Sequence, residues 1–145
     1  MSKRIRIKEL EPEAYKALQG IEQYLAASKL DPRLRELIKI RASQINGCAF
    51  CINMHTRDAR KLGETEQRIY ALNAWWDTPY FTETEQAVLA LTEEVTQISN
   101  RVSDETYNRA AKVLDDHALA QVIMAIIAIN SWNRISISTR LEPVD

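Results

Sequence analysis

Two cysteines and a histidine lie close together near the middle of the chain, at Cys48, Cys51 and His55. On a helix, the positions three and seven residues after Cys48 lie on nearly the same face, so the three side chains are predicted to form one stripe. Asn46-Gly47 breaks the preceding pattern, so the pair is expected in the first turn of a helix. Free N–H groups and the positive end of the helix dipole favour a thiolate there. The pattern therefore predicts thiol chemistry, in which one cysteine attacks and the other closes a disulfide.

Other interpretations of the cysteine pair stay open at this point. Two cysteines three apart also occur as small hydrophobic neighbours in a core. Cys48, Cys51 and His55 offer three zinc ligands, but structural zinc takes four, and His117 is the only other histidine. Haem attachment is excluded, because Ile52 stands where it needs a histidine. Redox or thiol catalysis is the favoured interpretation.

Glu36 is a carboxylate that could lie next to the stripe of Cys48, Cys51 and His55. It lies on a helix predicted over residues 31–46, at the edge of the apolar face. This position favours a surface ion pair with Arg33 or Lys39. If the two helices form a hairpin, Glu36 instead faces His55, where a carboxylate orients the ring and raises its basicity.

The helices that position these residues are predicted from their capping residues. The second helix is expected over about residues 48–62, with Gly63 just after its end. Further helix starts are predicted at Thr65, at a capping box over residues 82–85, at Ser103, and at Asp115 or Asp116. Two stretches, residues 4–7 and 135–138, alternate like strands and are predicted as extended or frayed ends. The pattern predicts an all-α fold.

Two apolar features are expected to pack rather than react. The aromatic residues Trp75, Trp76, Tyr80 and Phe81 are predicted to be core and interface residues, with an entrance to the thiols as the alternative. The last helix, from about Ala118, is apolar almost all round. Because a chain of this size has little protein to cover such a helix, part of it is predicted to pack against another subunit.

Length and composition fit a single small domain over residues 1–145. Hydrophobic residues make up 46% and charged residues 27%, which is typical of globular proteins. The net charge of −1 and the scattered basic residues exclude nucleic acid and anionic membrane as expected partners. The longest apolar run, residues 122–129, is far short of the roughly 20 residues that span a bilayer, and the N-terminus lacks a signal peptide's apolar segment. We therefore expect a cytoplasmic protein, where closely spaced cysteines are redox-active or bind metal.

The order Glu36, Cys48, Cys51 and His55, with eleven, two and three residues between them, resembles the alkylhydroperoxidase D-like (AhpD-like) core of the carboxymuconolactone decarboxylase family. The resemblance continues through residues 71–75, 81–93 and 130–134, and so covers most of the chain after residue 31.

The resemblance implies an all-α fold with a CxxC-bearing helical hairpin, assembled as a homo-oligomer (trimer or hexamer). By similarity, Cys51 is the thiol that attacks a hydroperoxide and becomes a sulfenic acid, and Cys48 resolves it as a disulfide. His55 and Glu36 relay protons, and a lipoyl or thioredoxin-like dithiol reduces the disulfide. No cofactor or metal is expected. The chain departs from the peroxidase branch at Phe50, where that branch carries a histidine.

The resulting prediction is a thiol-dependent hydroperoxidase, an antioxidant oxidoreductase. One alternative is a non-enzymatic redox sensor or zinc-binding assembly. Another is a decarboxylase-type enzyme of the same family. It would need catalytic residues outside the cysteine pair, because the decarboxylase branch proper lacks that pair.

Overall fold

The computed structural model describes residues 3–145, and every secondary-structure element in that range is helical. The α-helices are α1 (Ile7–Leu10), α2 (Pro12–Ala27), α3 (Pro32–Asn46), α4 (Ala49–Lys61), α5 (Glu66–Ala71), α6 (Glu83–Thr96), α7 (Asp104–Val113) and α8 (Asp116–Thr139). Short 3-10 helices lie at Leu72–Asp77 and Ile98–Asn100. The predicted all-α fold is confirmed.

The predicted capping residues begin the helices. The side chains of Thr65, Ser103 and Asp115 each accept a hydrogen bond from the backbone N–H three residues later, and so does that of Asp31 at the start of α3. The predicted capping box at the start of α6 is complete, with both reciprocal hydrogen bonds present. These local bonds satisfy N–H groups that a helix leaves free at its first turn.

A tight turn joins α3 to α4 and makes them a hairpin. Gly47 adopts the left-handed conformation with φ of 72°, which residues with a Cβ rarely adopt. The N–H of Cys48 then donates to the carbonyl of Ser43 at 2.9 Å, which closes the end of α3. The two helices pack closely against each other, so the CxxC-bearing hairpin is confirmed.

The third helix lies at the centre of the molecule. It packs on α4, α6 and α8, and its residues 36–40 are all buried. One apolar cluster joins α3 to α2, α6 and α8, and a second joins it to α4, α6 and the segment after α5. Because α3 is covered on several sides, polar residues that the pattern placed at the edge of its apolar face are drawn into the interior.

The prediction of extended structure at residues 135–138 is wrong, because they lie within the last turns of α8. The four-residue alternation is too short to interrupt a helix that has already run for five turns. In the other stretch, residues 4–6 have no regular secondary structure, Arg6 has an extended backbone, and Ile7 begins α1.

The last helix is longer and more apolar than its longest apolar run indicates. By length and composition alone, α8 is able to cross a membrane. It packs against α2, α3 and α6. Core helices of soluble proteins pass the same test, so this is weak support for a membrane span.

A charged network ties the end of α4 to the start of α6. Glu64, which has no exposed surface, accepts a hydrogen bond from Arg68 Nε at 2.7 Å, and Arg68 also pairs with Glu85. Burial acts to raise the pKa of Glu85, but hydrogen bonds from Arg68 and from the backbone of Thr82 outweigh it and hold that pKa below its usual value.

Glu85→Gln is expected to lower the free energy of unfolding at pH 7 by about 1–2 kcal/mol, because Arg68 then faces a neutral amide, while glutamine still completes the capping box. A carboxylate with a lowered folded pKa stabilises the protein above the unfolded value of 4.5, and this stabilisation is lost as pH falls through the folded pKa. Urea denaturation of both proteins at pH 7 and pH 3 measures the difference. A gap of equal size at both pH values would contradict the prediction.

Candidate active site

The cysteine pair occupies the first turn of α4. Cys48 is the N-cap residue, and its Sγ accepts a hydrogen bond from the backbone N–H of Cys51 at 3.3 Å. The two residues are joined as a disulfide, with their Cα atoms 5.3 Å apart, in the usual range for such a bond. Each is only 1% exposed. The sulfurs are therefore buried at the positive end of a helix.

His55 and Glu36 meet beside this pair. His55 lies one turn after Cys51 on α4, and its Nδ1 is 2.9 Å from Oε2 of Glu36 on α3. Both side chains are buried. The favoured prediction of a surface ion pair for Glu36 is wrong, because α3 is buried on that side. The alternative, in which the hairpin brings Glu36 to His55, is confirmed.

The hydrogen bond sets the tautomer of the ring. Because a carboxylate accepts hydrogen bonds, Nδ1 of His55 carries the donated proton. Nε2 of the neutral ring is then left with a lone pair, which makes it the basic atom. A buried histidine oriented by a carboxylate is suited to take a proton from a thiol and return it.

The two basic residues proposed as partners of Glu36 bond elsewhere. Lys39, which is buried, donates to Oε2 of Glu22 on α2 at 2.7 Å. Arg33 reaches Glu64 at 3.6 Å. The indole N–H of Trp132 on α8 donates to the other oxygen of Glu22, at 3.1 Å. Glu22 with its two partners thus forms a second polar group, beside that of His55 and Glu36, and it links α2, α3 and α8.

A cavity of about 550 Å³ opens beside Cys51, between α2, α3, α4 and α8. His55 and Glu36 line it. Its other walls carry six apolar or aromatic side chains, Tyr15, Phe50, Met54, Trp132, Ile135 and Leu141, and six polar or charged ones, Gln19, Glu22, Gln23, Lys39, Asp58 and Ser136. The site thus combines a thiol, a base and a space for a small organic molecule.

The aromatic cluster that the sequence singled out lies apart from this cavity. Trp75 and Phe81 are buried in an apolar cluster with α3 and α6, which confirms the packing prediction for these two. Trp76 and Tyr80 are exposed. The alternative, that this cluster walls the entrance to the thiols, is wrong, because different aromatic residues line the cavity.

Cys48 lines a second cavity, of about 400 Å³, bounded by the chain that follows α8. The carbonyl of Val144 in this segment accepts hydrogen bonds from Asn53 at 3.0 Å and Arg57 at 3.1 Å, both on α4. The C-terminal segment is thereby anchored to the helix that carries the cysteines. The two cysteines line different cavities.

A buried amide network holds the turn that precedes the cysteines. Asn133 of α8 has no exposed surface, and its Nδ2 donates to Ser43 Oγ at 3.0 Å. Nδ2 of Asn46 donates to Oδ1 of Asn133 and of Asn130, at 3.0 and 2.9 Å. Because Asn46 and Ser43 belong to the last turn of α3, these bonds fix the end of α3, and with it the start of α4, against α8.

Sequence reasoning missed Ser136 and Trp132 as site residues. The Oγ of Ser136 lies 3.7 Å from Sγ of Cys51. Trp132 belongs to a stretch that carried the family resemblance, which pointed to this part of α8 without giving a role. The alternation around Ser136 instead indicated an extended end, which hid its position on the inner face of the helix.

The site also contains a group of side chains that could bind a metal ion. Among residues 3–145, Glu36, His55 and Asp58 offer ligand atoms that all lie within 4.8 Å of one another. The hydrogen bond between two of them accounts for part of this closeness. The zinc set considered from the sequence, Cys48, Cys51 and His55, is not available while the sulfurs are bonded to each other.

Comparison with known proteins agrees with this geometry. Residues 12–94 match the carboxymuconolactone decarboxylase family. The uncharacterized protein YdfG of Bacillus subtilis is 50% identical over 139 residues, which is 95% of each chain.

Solved structures share the fold. The crystal structure of an Agrobacterium tumefaciens protein of unknown function, described as a candidate antioxidant defence protein AhpD, superposes with a TM-score of 0.95 at 37% identity, over 99% of each chain. The debrominase Bmp8, in complex with 2,3,4-tribromopyrrole, gives a TM-score of 0.85 at 18% identity, over 94% of this chain and 73% of its own. At that identity the likeness shows the fold alone.

Asn133→Ala is expected to lower the free energy of unfolding by about 2–3 kcal/mol, because it removes the hydrogen bond to the buried Ser43 hydroxyl and one of the two bonds that Asn46 donates. Urea denaturation measures the change. Asn108→Ala, at an exposed position on α7, is the matched control and should change stability by less than about 0.5 kcal/mol. Equal losses in the two variants would contradict the role of the network.

Proposed function

Because the chain belongs to the carboxymuconolactone decarboxylase family and carries a cysteine pair beside a buried histidine and glutamate, we propose that it is a thiol-dependent hydroperoxidase of the alkylhydroperoxidase D-like kind. The observation that carries this proposal is the 2.9 Å contact between His55 and Glu36, one helical turn from Cys51 at the same cavity. A base placed in this way is what a thiol needs to become a nucleophile.

In the first step, Nε2 of His55 takes the proton of the Cys51 thiol, and Glu36 stabilises the resulting imidazolium. The thiolate attacks the outer oxygen of the hydroperoxide, the O–O bond breaks, and Cys51 becomes a sulfenic acid. The alkoxide leaves with the proton from His55 as an alcohol. The peroxide is thereby reduced by two electrons and the sulfur of Cys51 is oxidised by two.

In the second step, Cys48 attacks the sulfur of Cys51, a disulfide forms, and the hydroxyl leaves as water. The disulfide of the structure corresponds to this oxidised stage. A dithiol of the lipoyl or thioredoxin-like class then returns both cysteines to thiols and is itself oxidised to a disulfide.

One further observation supports this activity over other reactions on the same fold. The Agrobacterium relative, at 37% identity, is described as a candidate antioxidant defence protein. Phe50 stands where the peroxidase branch carries a histidine, so the proton relay proposed for this chain consists of His55 and Glu36. The debrominase shows that the fold also serves a different reaction, so the chemistry rests on the site and not on the fold.

We also propose that residues 1–145 act as one domain in the cytoplasm and assemble as a homo-oligomer, a trimer or a hexamer. Ile98, Ile127 and Ile137 are 54%, 42% and 43% exposed. Two of these lie on α8. Large apolar side chains exposed on a core helix are typical of a surface that another subunit covers.

Size-exclusion chromatography with light scattering tests the assembly. At micromolar concentration we expect a mass of three or six times 16.6 kDa, because burial of these apolar side chains favours association. A single monomeric species would contradict it. Ile127→Lys should shift the assembly towards monomer, whereas Ile5→Lys, at an exposed position outside α8, should leave it unchanged.

Hydroperoxide consumption with reduced lipoamide as electron donor tests the activity. We expect saturable turnover that is lost in Cys51→Ser, and lost after one turnover in Cys48→Ser, because no disulfide then forms. His55→Gln should lower the rate by about 10²–10⁴-fold, the usual contribution of a general base. His117→Gln, which changes the other histidine at an exposed position, is the matched control and should keep full activity.

Equal turnover in wild type and Cys51→Ser would contradict the proposal. So would titratable thiols without turnover, which would favour a redox sensor or another thiol reaction. Near-stoichiometric zinc in protein purified without added metal, released when the thiols are modified, would favour the zinc-binding alternative.

A further inference from the structure

The hydroxyl of Ser136 is directed differently from its neighbours on α8. Ser131 Oγ donates to the carbonyl of Ile127 at 3.0 Å, and Thr139 Oγ1 donates to that of Ile135 at 2.7 Å. Such bonds to the preceding turn are the usual arrangement for helical hydroxyls. Ser136 Oγ instead lies 3.7 Å from Sγ of Cys51, on the facing helix.

The contact between Ser136 and Cys51 is buried, which increases the effect of the hydroxyl on a charge at the sulfur. Ser136 is 5% exposed and Cys51 is 1% exposed, so a thiolate at Cys51 is largely cut off from water. A buried charge is costly unless hydrogen-bond donors replace its hydration. The N–H of Cys51, in the first turn of α4, donates to Cys48 Sγ at 3.3 Å. The backbone N–H at the start of α4 thus bonds the sulfur of Cys48, whereas the hydroxyl of Ser136 lies beside the sulfur of Cys51.

We propose that Ser136 is a positioning residue for Cys51, whose hydroxyl donates a hydrogen bond to the Cys51 thiolate once the disulfide is reduced. This inference rests on the proposed function in taking Cys51 as the attacking thiol. The bond stabilises the thiolate before it attacks a hydroperoxide. It also stabilises the same thiolate as the leaving group when a reductant attacks Cys48, and a better leaving group speeds that exchange.

Other titratable groups face the same space and stay in place when Ser136 changes. Those lining the cavity beside Cys51 are Tyr15 and Glu22 on α2, Glu36 and Lys39 on α3, and His55 and Asp58 on α4. Arg140 and Glu142 lie beyond α8, beside Cys48. Within residues 3–145, Ser136 is the residue that hydrogen-bonds the Cys51 sulfur. Removing the hydroxyl therefore isolates its contribution.

The test is the pH dependence of Cys51 alkylation by iodoacetamide, followed by mass spectrometry in reduced protein carrying Cys48→Ser, so that one thiol reacts. Ser136→Ala is expected to raise the apparent pKa of Cys51 by about one unit, since a hydrogen bond to a charged group contributes about that much. Below that pKa, alkylation should be about tenfold slower. Ser136→Thr keeps a hydroxyl and should restore the original profile.

Ser131→Ala is the matched control, because its hydroxyl lies on the same helix but bonds a carbonyl. It should leave the profile unchanged. An unmoved midpoint in Ser136→Ala, an equal shift in Ser131→Ala, or a rate change at every pH without a shifted midpoint would each overturn the inference. The readout is thiol ionisation. Absent peroxide turnover with an intact shift would therefore refute the proposed function alone, and turnover without the shift would refute the role of Ser136 alone.

Discussion

The buried hydrogen bond between Glu36 and His55 constrains the rest of the structure. A glutamate is seldom buried unless it is paired, so its burial on α3 requires a partner that approaches from another helix. The partner is one turn from Cys51 on α4, so the two helices have to run side by side in one register. The hairpin, the cavity and the position of the thiols all depend on this pairing.

The surrounding elements hold that register from both ends. At the turn, Gly47 supplies the left-handed conformation that joins α3 to α4 with only two residues between them, and the amides of Asn46 and Asn133 fix this end against α8. At the far end of α4, the charged network of Glu64 and Arg68 ties the chain to α6. A displacement at either end would move His55 relative to Glu36. These remote polar groups therefore fix the relative position of the two site residues.

Local signals in the sequence were sufficient for the capped helix starts and for the cysteine stripe, because capping and i,i+4 spacing are properties of a few neighbouring residues. The partner of Glu36 was not predictable in the same way. Periodicity on α3 gives an angle around one helix, and only the tertiary arrangement shows that this edge of the helix is covered. For the same reason the sequence did not indicate Ser136 and Trp132 as site residues. They approach the thiols from a helix more than 80 residues away in sequence. The same limit also explains the wrong prediction at residues 135–138, where α8 continues through a short local alternation.

The two cysteines are chemically distinct although they are three residues apart. Cys48 accepts a backbone N–H at the helix start and lines the cavity under the C-terminal segment. Cys51 has a side-chain hydroxyl beside it and lines the cavity with His55. A disulfide is cleaved by attack on one sulfur while the other leaves, and the direction follows from access and from the stability of the leaving thiolate. In this fold the base and the hydroxyl both favour Cys51 as the leaving and attacking sulfur. Under the proposed function, attack by the reductant at Cys48 regenerates the Cys51 thiolate in the cavity that His55 lines.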